Sequence, residues 1–359
     1  MSALLSLSVV INAFLLSMAI FNAITIIRPR VQGAQTLSFS ILVPCRNEVD
    51  NVSELVATLG ALEHPRYEVI FIDDNSTDGT GDLLRQLIVN RPFMKVISAD
   101  SLPKGWMGKP WALSQGLSHA THDYIVTVDA DVRLSPNALS AMDSVLQRTG
   151  SDFLSPYPSQ IAVTMSERLV QPLLQWTWMT TVPLRLAMTS SRPSLAVANG
   201  QFLLVRRSAL LAAGGFTAIQ TSVLDDIDLA RVLIRGGFSG GVCDGSKIAS
   251  TRMYSSFKEI RAGYGKSMST GFGGIFGSLA LAAMMAISGL LPFIASFFGS
   301  PMATAALLLV VTSRVVSAIS SHSLIIDSLL HPISTIVFIY LLIYSNFFHS
   351  KITWKGRSL

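Results

Sequence analysis

The sequence contains few charged residues. Only 14% of its 359 residues are Asp, Glu, Lys or Arg, whereas half are hydrophobic, and the mean hydropathy is +0.49. Soluble globular proteins usually contain about 25% charged residues, so the composition excludes an ordinary soluble enzyme and predicts membrane segments. The net charge of +5 suits a membrane protein whose basic residues face the cytoplasm and anionic headgroups. The lack of a basic groove motif argues against nucleic acid as a partner.

Cysteine is scarce and a P-loop is absent. The two cysteines, Cys45 and Cys243, lie far apart, which argues against a disulfide framework and suits a reducing compartment. No Gly-x-x-x-x-Gly-Lys-Ser/Thr occurs, so a bound nucleotide would need another kind of phosphate site. No internal repeat or long linker is present. The length therefore predicts one catalytic domain plus membrane segments.

A long apolar run occurs near the N-terminus. Residues 4–27 are almost uninterruptedly apolar and are followed by Arg28 and Arg30. The run is long enough to cross a bilayer, and it lacks a charged n-region and a small-residue cleavage site. We therefore expect residues 1–30 to form an uncleaved transmembrane anchor. The two arginines favour a cytoplasmic position for the domain that follows.

Three further apolar runs predict a C-terminal transmembrane region over residues 271–350, followed by a basic tail at 351–359. They cover about 272–298, 302–316 and 333–348. The number of crossings stays open, because the middle run is short and contains Arg314. The protein is expected to be a multi-pass protein of the cell membrane.

Strands alternate with helices between the two apolar regions, and we expect a catalytic domain over residues 36–270. Short β-branched runs ending in polar residues alternate with helically spaced apolar residues. This order predicts an α/β fold with a mostly parallel, doubly wound sheet. The predicted strands are one within 38–48 that ends in Pro and polar residues, 68–72, 94–97 and the strand that ends at Asp129. The predicted helices cover 51–62, the region of 83–88, and a stretch after the 102–112 loop that ends at about residue 120.

The strand that ends at Asp129 is expected to deliver acidic side chains to the carboxyl edge of the sheet, where ligands of such sheets bind. Asp129 and Asp131 lie two residues apart and can share Mg²⁺ or Mn²⁺, whose other ligands would be water and phosphate oxygens. The alternative for an isolated Asp-x-Asp is a polar turn with two solvated acids.

Other polar residues follow the remaining strands. Asp73 and Asp74 end the second strand, where carboxylates can accept hydrogen bonds from a nucleotide base and ribose; a common acidic turn is the alternative. Lys104 and Lys109 lie in a glycine-containing loop and could neutralise a diphosphate, or be ordinary surface lysines. Asp225 and Asp226 precede a helix that their charges would stabilise in any case.

Together these residues resemble the family 2 glycosyltransferases, which have the GT-A fold. The resemblance covers about residues 38–237, and the matching pieces come in the family's order. The matching pieces are Val43-Pro44-Cys45-Arg46-Asn47-Glu48, Asp73-Asp74-Asn75-Ser76-Thr77-Asp78, Gly105-Trp106-Met107-Gly108-Lys109, Asp129-Ala130-Asp131, Asn199-Gly200-Gln201-Phe202, Gly214-Gly215-Phe216 and Leu224-Asp225-Asp226-Ile227-Asp228-Leu229-Ala230.

The resemblance implies a role for each motif. Asp226 would be the catalytic base, with Asp225 standing where the family more usually has Glu. The metal would be held by Asp129 and Asp131. The implied donor-binding residues are Pro44, Arg46, Glu48, Asp73, Asp74, Lys104, Lys109 and Asp129, and the implied acceptor-binding residues are Asn199, Gly200, Gln201, Trp106, Tyr254 and Lys266.

One family motif is missing. Many relatives carry Gln-x-x-Arg-Trp after the catalytic acids, and this chain does not. Members that act on carotenoid acids or hopanoids resemble it better, with a Tyr and a Lys near this point and a Trp-Lys-Gly-Arg ending. Tyr254 and Lys266 are site candidates by that likeness alone, and a basic face next to the membrane is the simpler account of Lys266.

Residues 161–188 leave two interpretations open. The segment contains Trp176 and Trp178 among leucines, but also Arg168 and Arg185. It could be an interfacial helix or hairpin that admits a lipid acceptor from the bilayer. It could equally be a buried pair of helices that covers the sheet.

We therefore expect a membrane hexosyltransferase whose cytoplasmic GT-A domain transfers a sugar, glucose from a UDP-sugar, to a lipid acceptor by metal-dependent inverting displacement. A carotenoid or other terpenoid leads among the acceptors, followed by a sphingolipid or a polyprenyl phosphate. One alternative is a processive polysaccharide synthase, which should keep Gln-x-x-Arg-Trp. Another is a non-enzymatic membrane protein that binds nucleotide sugars.

Overall fold

The computed structural model describes residues 2–348, 353–354 and 357–358, and the chain divides into two compact units. The sheet unit comprises Ile27–Ser159 and Leu186–Arg252, and the helical unit comprises Met1–Ile26, Gln160–Arg185 and Met253–Leu359. The predicted tail at 351–359 lies outside the described residues except for 353–354 and 357–358. The domain limits 1–30, 36–270 and 271–350 stay predictions.

The strands are β1 (Phe39–Cys45), β2 (Tyr67–Asp73), β3 (Met94–Ser98), β4 (Tyr124–Val128), β5 (Val132–Leu134), β6 (Phe153–Tyr157), β7 (Ser159–Gln160), β8 (Phe202–Arg206), β9 (Gly240–Asp244), β10 (Ala249–Thr251), β11 (Thr353–Trp354) and β12 (Arg357–Ser358). The helices of the sheet unit are α2 (Val49–Gly60), α3 (Thr80–Leu87), α4 (Gly108–Ser118), α5 (Ala138–Thr149), α8 (Arg207–Ala212) and α9 (Asp225–Arg235), with 3₁₀ turns Pro193–Leu195 and Gly215–Ile219.

The helices α1 (Ser2–Thr25), α6 (Met165–Thr181), α10 (Phe257–Gly271), α11 (Gly274–Met285), α12 (Leu291–Ser296), α13 (Pro301–Ser321) and α14 (His331–Phe348) belong to the helical unit. The short helix α7 (Leu184–Ala187) includes the point in the chain, after Arg185, where a segment of the helical unit ends. A π-helical stretch, Ala286–Leu290, joins α11 to α12, and a 3₁₀ turn, Ile325–Leu330, precedes α14.

The central sheet has seven strands in the order β3-β2-β1-β4-β8-β6-β9. Only β8 runs antiparallel to its neighbours within this sheet, which confirms the predicted, mostly parallel arrangement. Because β8 runs the other way, its first residue pairs with Val128, the last residue of β4. The residues before β8 therefore lie at the same edge of the sheet as those after β4.

Both faces of the sheet are covered, as the alternation of strands and helices predicts. Ile41 and Val43 of β1 belong to one buried core, and Leu42 between them belongs to the other. Successive side chains of a strand point to opposite faces, so one strand contributes to both cores. The first core includes apolar residues of α2 and α5, and the second includes those of α4 and α9.

Among the residues that the structure describes, the helical unit contains four helical segments long and apolar enough to cross a membrane. They are Ser2–Thr25, Gly274–Ser296, Pro301–Ser321 and Ile325–Phe347. Their positions match the four apolar runs of the sequence, but the third extends to Ser321, beyond the predicted end at 316. The added turn contains serines, and Ser321 Oγ donates to the carbonyl oxygen of Ser317 at 3.0 Å, so its hydroxyl is satisfied within the helix.

Polar side chains fasten the helices of this unit to one another. Asn12 of α1 donates from Nδ2 to the carbonyl oxygens of Ser288 and Ala306, each at 2.9 Å. The indole Nε1 of Trp176, in α6, donates to Ser313 Oγ of α13 at 2.8 Å, and Trp176 is buried in the core of the unit. Helix α6 thus packs among apolar helices, and whether it also touches a bilayer stays a prediction.

Candidate functional site

The first part of the site lies where β1 and β2 end side by side, since Cys45 pairs with Asp73. Arg46 follows β1 and donates from Nη1 to the carbonyl oxygen of Asp74 at 2.6 Å. The backbone N–H of Asp74 donates to the carbonyl oxygen of Cys45 at 2.8 Å. Asp73 accepts the N–H of Ser76 through Oδ1 at 3.1 Å, which shapes the turn after the strand.

This corner brings together five predicted donor-binding residues. Pro44 lies in β1, and Glu48 follows one turn after the strand, where its carboxylate accepts from Asn51 Nδ2 at 2.8 Å. Asn47 and Asn75 have positive φ angles of 52° and 54°, which Asn tolerates better than most residues. The two turns therefore hold Arg46, Glu48, Asp73 and Asp74 in one small region beside Pro44.

The second part of the site is a cluster of carboxylates around one lysine. Lys109 begins the first turn of α4, and its Nζ lies 2.7 Å from Asp129 Oδ1 and 3.3 Å from Asp225 Oδ2. The same nitrogen donates to the carbonyl oxygen of Gly200 at 3.3 Å. The fold thus assembles residues from the start of α4, the end of β4, the start of α9 and the turn before β8.

Asp226 completes the cluster. Its Oδ2 accepts the backbone N–H of Gly200 at 2.7 Å, and its Oδ1 accepts the N–H of Ile227 at 2.8 Å. Three acids occupy the first turn of α9, where the helix dipole and free N–H groups stabilise negative charge. The predicted helix start is confirmed, and Gly200 is found to position the Asp226 carboxylate.

The charges of the cluster shift its pKa values. Burial and the neighbouring Asp225 raise the pKa of Asp226 to about 6, although Lys109 opposes this shift. Burial lowers the pKa of Lys109, but the charges of Asp129 and Asp225 outweigh it and raise that pKa above its ordinary value. The lysine therefore stays protonated, and Asp226 titrates in a range that suits a general base.

Asp131 lies after the end of β4, on the far side of Ala130 from Asp129. Its Oδ2 accepts the hydroxyl of Thr251 at 3.1 Å. Burial and the charge of Asp129 raise the pKa of Asp131 to about 6. Two neighbouring carboxylates with this mutual repulsion are a donor set that a divalent cation would stabilise.

The described part of the chain holds no group of three or more His, Cys, Asp or Glu side chains arranged to bind a metal ion. A cation would therefore have two carboxylate ligands, from Asp129 and Asp131, and would take oxygen atoms from a diphosphate or water for the rest. Mg²⁺ is commonly bound in this way, through one or two carboxylates and phosphate oxygens. The residues present thus fit a divalent cation that arrives with a nucleotide.

Asn199 and Gln201 flank Gly200 and shape the turn before β8. Asn199 donates its N–H to Ser155 Oγ at 2.7 Å, and its Nδ2 donates to Gln201 Oε1 at 3.1 Å. The carbonyl oxygen of Gln201 accepts the N–H of Asp129 at 3.1 Å. These contacts fix the backbone of the turn against β4, so that the turn and the acids form one site.

Four predicted site residues remain, namely Lys104, Trp106, Tyr254 and Lys266. Lys104 is exposed, and the structure shows no contact between it and the four acids in the described residues. Trp106 packs edge to face on Trp111, with ring centroids 5.1 Å apart. Tyr254 and Lys266 belong to the helical unit, where Tyr254 packs on Tyr264 at 5.3 Å.

Thr251 is a site residue that the sequence did not suggest. It lies in β10, which pairs with β5 so that Thr251 is opposite Val132, the residue after Asp131. A hydroxyl 120 residues away along the chain gives no local signal, because strand pairing alone brings it to the acid. Thr251 could have been found only by predicting that β10 pairs with β5, the short strand that directly follows Asp131.

Comparison with known proteins shows which family and fold the chain resembles. Residues 40–212 match the family model Glycosyl transferase family 2. The 4,4'-diaponeurosporenoate glycosyltransferase of Staphylococcus haemolyticus is 25% identical over 67% of this chain and 63% of that protein. The protein of the same name from Staphylococcus aureus is 26% identical over 90% of each chain.

Two further comparisons differ in their coverage. Poly-beta-1,6-N-acetyl-D-glucosamine synthase of Staphylococcus aureus is 29% identical over 31% of this chain and 26% of the synthase. The chain thus spans less than two thirds of the Staphylococcus haemolyticus relative and about a quarter of the synthase. The mannosyltransferase PcManGT of Pyrobaculum calidifontis, solved with GDP-Man and Mn²⁺, has a TM-score of 0.56 at 16% identity, over 95% of this chain and 96% of that chain. This likeness shows a shared fold.

Proposed function

We propose that the chain is a glycosyltransferase that transfers glucose from a UDP-sugar to a lipid acceptor. Residues 40–212 match the family 2 glycosyltransferase model, and the chain has the GT-A fold. The observation that carries this proposal is the cluster in which Lys109 lies between Asp129 and Asp225, with Asp226 alongside. Four membrane-length helical segments and the similarity to two carotenoid glycosyltransferases favour a carotenoid or other terpenoid acceptor.

The donor would bind along the carboxyl edge of the sheet. Asp73 and Asp74 would accept hydrogen bonds from the base and ribose, beside Arg46. The diphosphate would extend toward Asp129 and Asp131, which would hold Mg²⁺ or Mn²⁺ with phosphate oxygens. When bound, the cation supplies positive charge that stabilises the departing diphosphate. A relative with the same fold was solved with Mn²⁺ and a nucleotide sugar, which supports this role.

Asp226 would act as the catalytic base. As the bond between the sugar's anomeric carbon and the diphosphate breaks, a bond forms from the acceptor's oxygen to that carbon on the opposite face. Asp226 takes the proton of the attacking group, and the nucleoside diphosphate leaves with the bonding electrons. Its raised pKa and its fixed Oδ2 suit proton transfer near neutral pH. This single displacement inverts the anomeric configuration.

Within the sheet unit, Asn199, Gly200, Gln201 and Trp106 would bind the acceptor; the roles of Tyr254 and Lys266 in the helical unit stay predictions. We place the sheet unit on the cytoplasmic side of the cell membrane, since Arg28 and Arg30 follow the first apolar helix. The protein would then be a multi-pass membrane protein that meets its lipid acceptor in the bilayer.

A transfer assay tests the proposal. Detergent-solubilised protein would be incubated with radiolabelled UDP-glucose, Mn²⁺ and the host's total lipid extract. The lipid products would be separated, and their masses would be measured by mass spectrometry. The expected product is a single lipid species heavier by one hexose. Failure to bind UDP or GDP at any Mn²⁺ concentration would contradict the proposal.

A processive polysaccharide synthase is the second candidate, favoured by the match to the N-acetylglucosamine polymer synthase. The assay distinguishes the two by product size, because a synthase would release long polymer from UDP-sugar without a lipid acceptor. The absence of Gln-x-x-Arg-Trp from the sequence argues against this candidate.

A further inference from the structure

Lys109 lies at the centre of the catalytic carboxylates and not at their margin. Its Nζ contacts oxygens of Asp129, Asp225 and Gly200 at 2.7, 3.3 and 3.3 Å. These oxygens come from three separate parts of the chain. Its side chain is 19% exposed. The ammonium group therefore occupies the kind of oxygen-lined position that a bound cation would take.

The fold leaves room for this ammonium group. Gly200 has no side chain, and a Cβ placed there would lie 3.0 Å from Lys109 Nζ and 3.3 Å from Asp226 Cβ. Such contacts are tighter than ordinary packing, so a residue larger than glycine would require Lys109 or Asp226 to shift by a few tenths of an ångström. The glycine is thus a second, independent indication that the position of Lys109 is built into the site.

The contact also occupies the carboxylate that the metal needs. Asp129 Oδ1 is engaged by Lys109 at 2.7 Å, and a divalent cation on the same carboxylate would be repelled by the ammonium charge at short range. Lysine has a long, flexible stem and is a common ligand of phosphate. A diphosphate bound at this edge would therefore offer Lys109 another partner.

We propose that Lys109 competes with the divalent cation for Asp129, and that it releases Asp129 only when the donor's diphosphate takes over the ammonium group. This inference rests on the proposed function, because it assumes that metal and nucleotide meet at Asp129. Its consequence is that metal and nucleotide bind cooperatively. Because such coupling is reciprocal, the nucleotide strengthens metal binding by the factor by which the metal strengthens nucleotide binding.

Lys109→Met separates the two functions of the lysine. The variant keeps the length of the side chain and removes the charge, so it should bind Mn²⁺ alone more tightly. The matched control is Lys247→Met, which removes the same charge from an exposed lysine of the same unit. Lys109→Gln provides a second neutral variant that can still donate a hydrogen bond to a carboxylate.

The measurement is Mn²⁺ binding to the full-length, detergent-solubilised protein, read from the electron paramagnetic resonance signal of free Mn²⁺, with and without UDP. Without UDP, we expect Lys109→Met to bind Mn²⁺ at least about tenfold more tightly than wild type, as expected for a change of ~1.4 kcal/mol. We expect Lys247→Met to match wild type. With UDP, the gain in Mn²⁺ affinity should be at least about tenfold smaller in Lys109→Met than in wild type.

Two outcomes would overturn the inference. One is equal or weaker Mn²⁺ binding without UDP in both Lys109→Met and Lys109→Gln. The other is an undiminished effect of UDP on Mn²⁺ affinity in these variants. Neither depends on sugar transfer, so the transfer assay can fail while this inference stands, and the reverse.

Discussion

The two units of the protein treat their buried polar groups differently. In the sheet unit, Asp129, Asp225 and Asp226 gather around Lys109, and negative charge remains in excess. In the helical unit, uncharged groups such as the Asn12 amide pair with backbone carbonyls of neighbouring helices. The comparison teaches that a site prepared for a ligand gathers charges of one sign from separate parts of the chain, whereas the Asn12 Nδ2 group is satisfied by backbone carbonyls of neighbouring helices.

Removing a carboxylate from the sheet unit should have the largest effect. Asp129→Ala removes both a proposed metal ligand and the partner of Lys109. We expect affinity for UDP in the presence of Mn²⁺ to fall at least about 100-fold, because mutating a residue that only hydrogen-bonds to a metal ligand already reduces metal affinity by up to that factor. Isothermal titration calorimetry would measure it. The control is Asp82→Ala, which removes an exposed carboxylate of the same unit. It should bind UDP like wild type.

Removing an amide from the helical unit should affect stability and not donor binding. Asn12→Ala leaves the carbonyl oxygens of Ser288 and Ala306 without this donor. Such a loss costs about 1–3 kcal/mol of unfolding free energy, which thermal unfolding in detergent would reveal. Ser17→Ala, an exposed hydroxyl of the same helix, is the control. Unchanged stability of Asn12→Ala would remove the contrast between the units.

The pH dependence of transfer tests the state of Asp226. Its pKa is raised to about 6 by burial and by Asp225, so the base is protonated below that pH and ionised above it. We expect the rate at saturating donor to fall about tenfold for each pH unit below 6 and to level off above pH 7. An inflection near pH 4 would show that Asp226 has an ordinary pKa or a different role.

Removing the charge of Arg314, a buried arginine of the helical unit, should have the smallest effect of these substitutions. Arg314 is 2% exposed, and its Nη1 has no hydrogen-bond partner in the described residues. Asp327, which lines the same cavity, is already paired with Arg168. Because burying a charge without a full set of partners costs free energy, Arg314→Met should leave the thermal unfolding temperature unchanged or raise it. A marked fall would show that Arg314 stabilises the unit.

The sequence predicted the strand ends of the site well. The apolar β-branched run before Asp129 became β4, which is buried along its whole length, and the helical spacing before Leu62 became α2. These elements depend on local periodicity, which a single sequence displays. Their order also predicted the mostly parallel sheet, because each helix must return the chain to the same edge.

The pairings within the site could not be predicted. Lys109 and Asp225 meet at 3.3 Å although more than a hundred residues separate them, and strand pairing brings Thr251 to Asp131 in the same way. The sequence predicted that Lys109 neutralises a phosphate, but it did not predict the contacts of Lys109 with Asp129 and Asp225. The antiparallel β8, which carries Gly200 to Asp226, also depends on tertiary packing and has no local signature.

The most direct test of the central claim is the transfer rate of Asp226→Asn beside its UDP affinity. Asparagine keeps the size of the side chain and an oxygen that can accept the N–H of Gly200, so the site should fold and bind UDP as wild type does. The account predicts that label from UDP-glucose enters lipid about 100- to 10,000-fold more slowly, the usual contribution of a general base. Transfer by Asp226→Asn at the wild-type rate would contradict it.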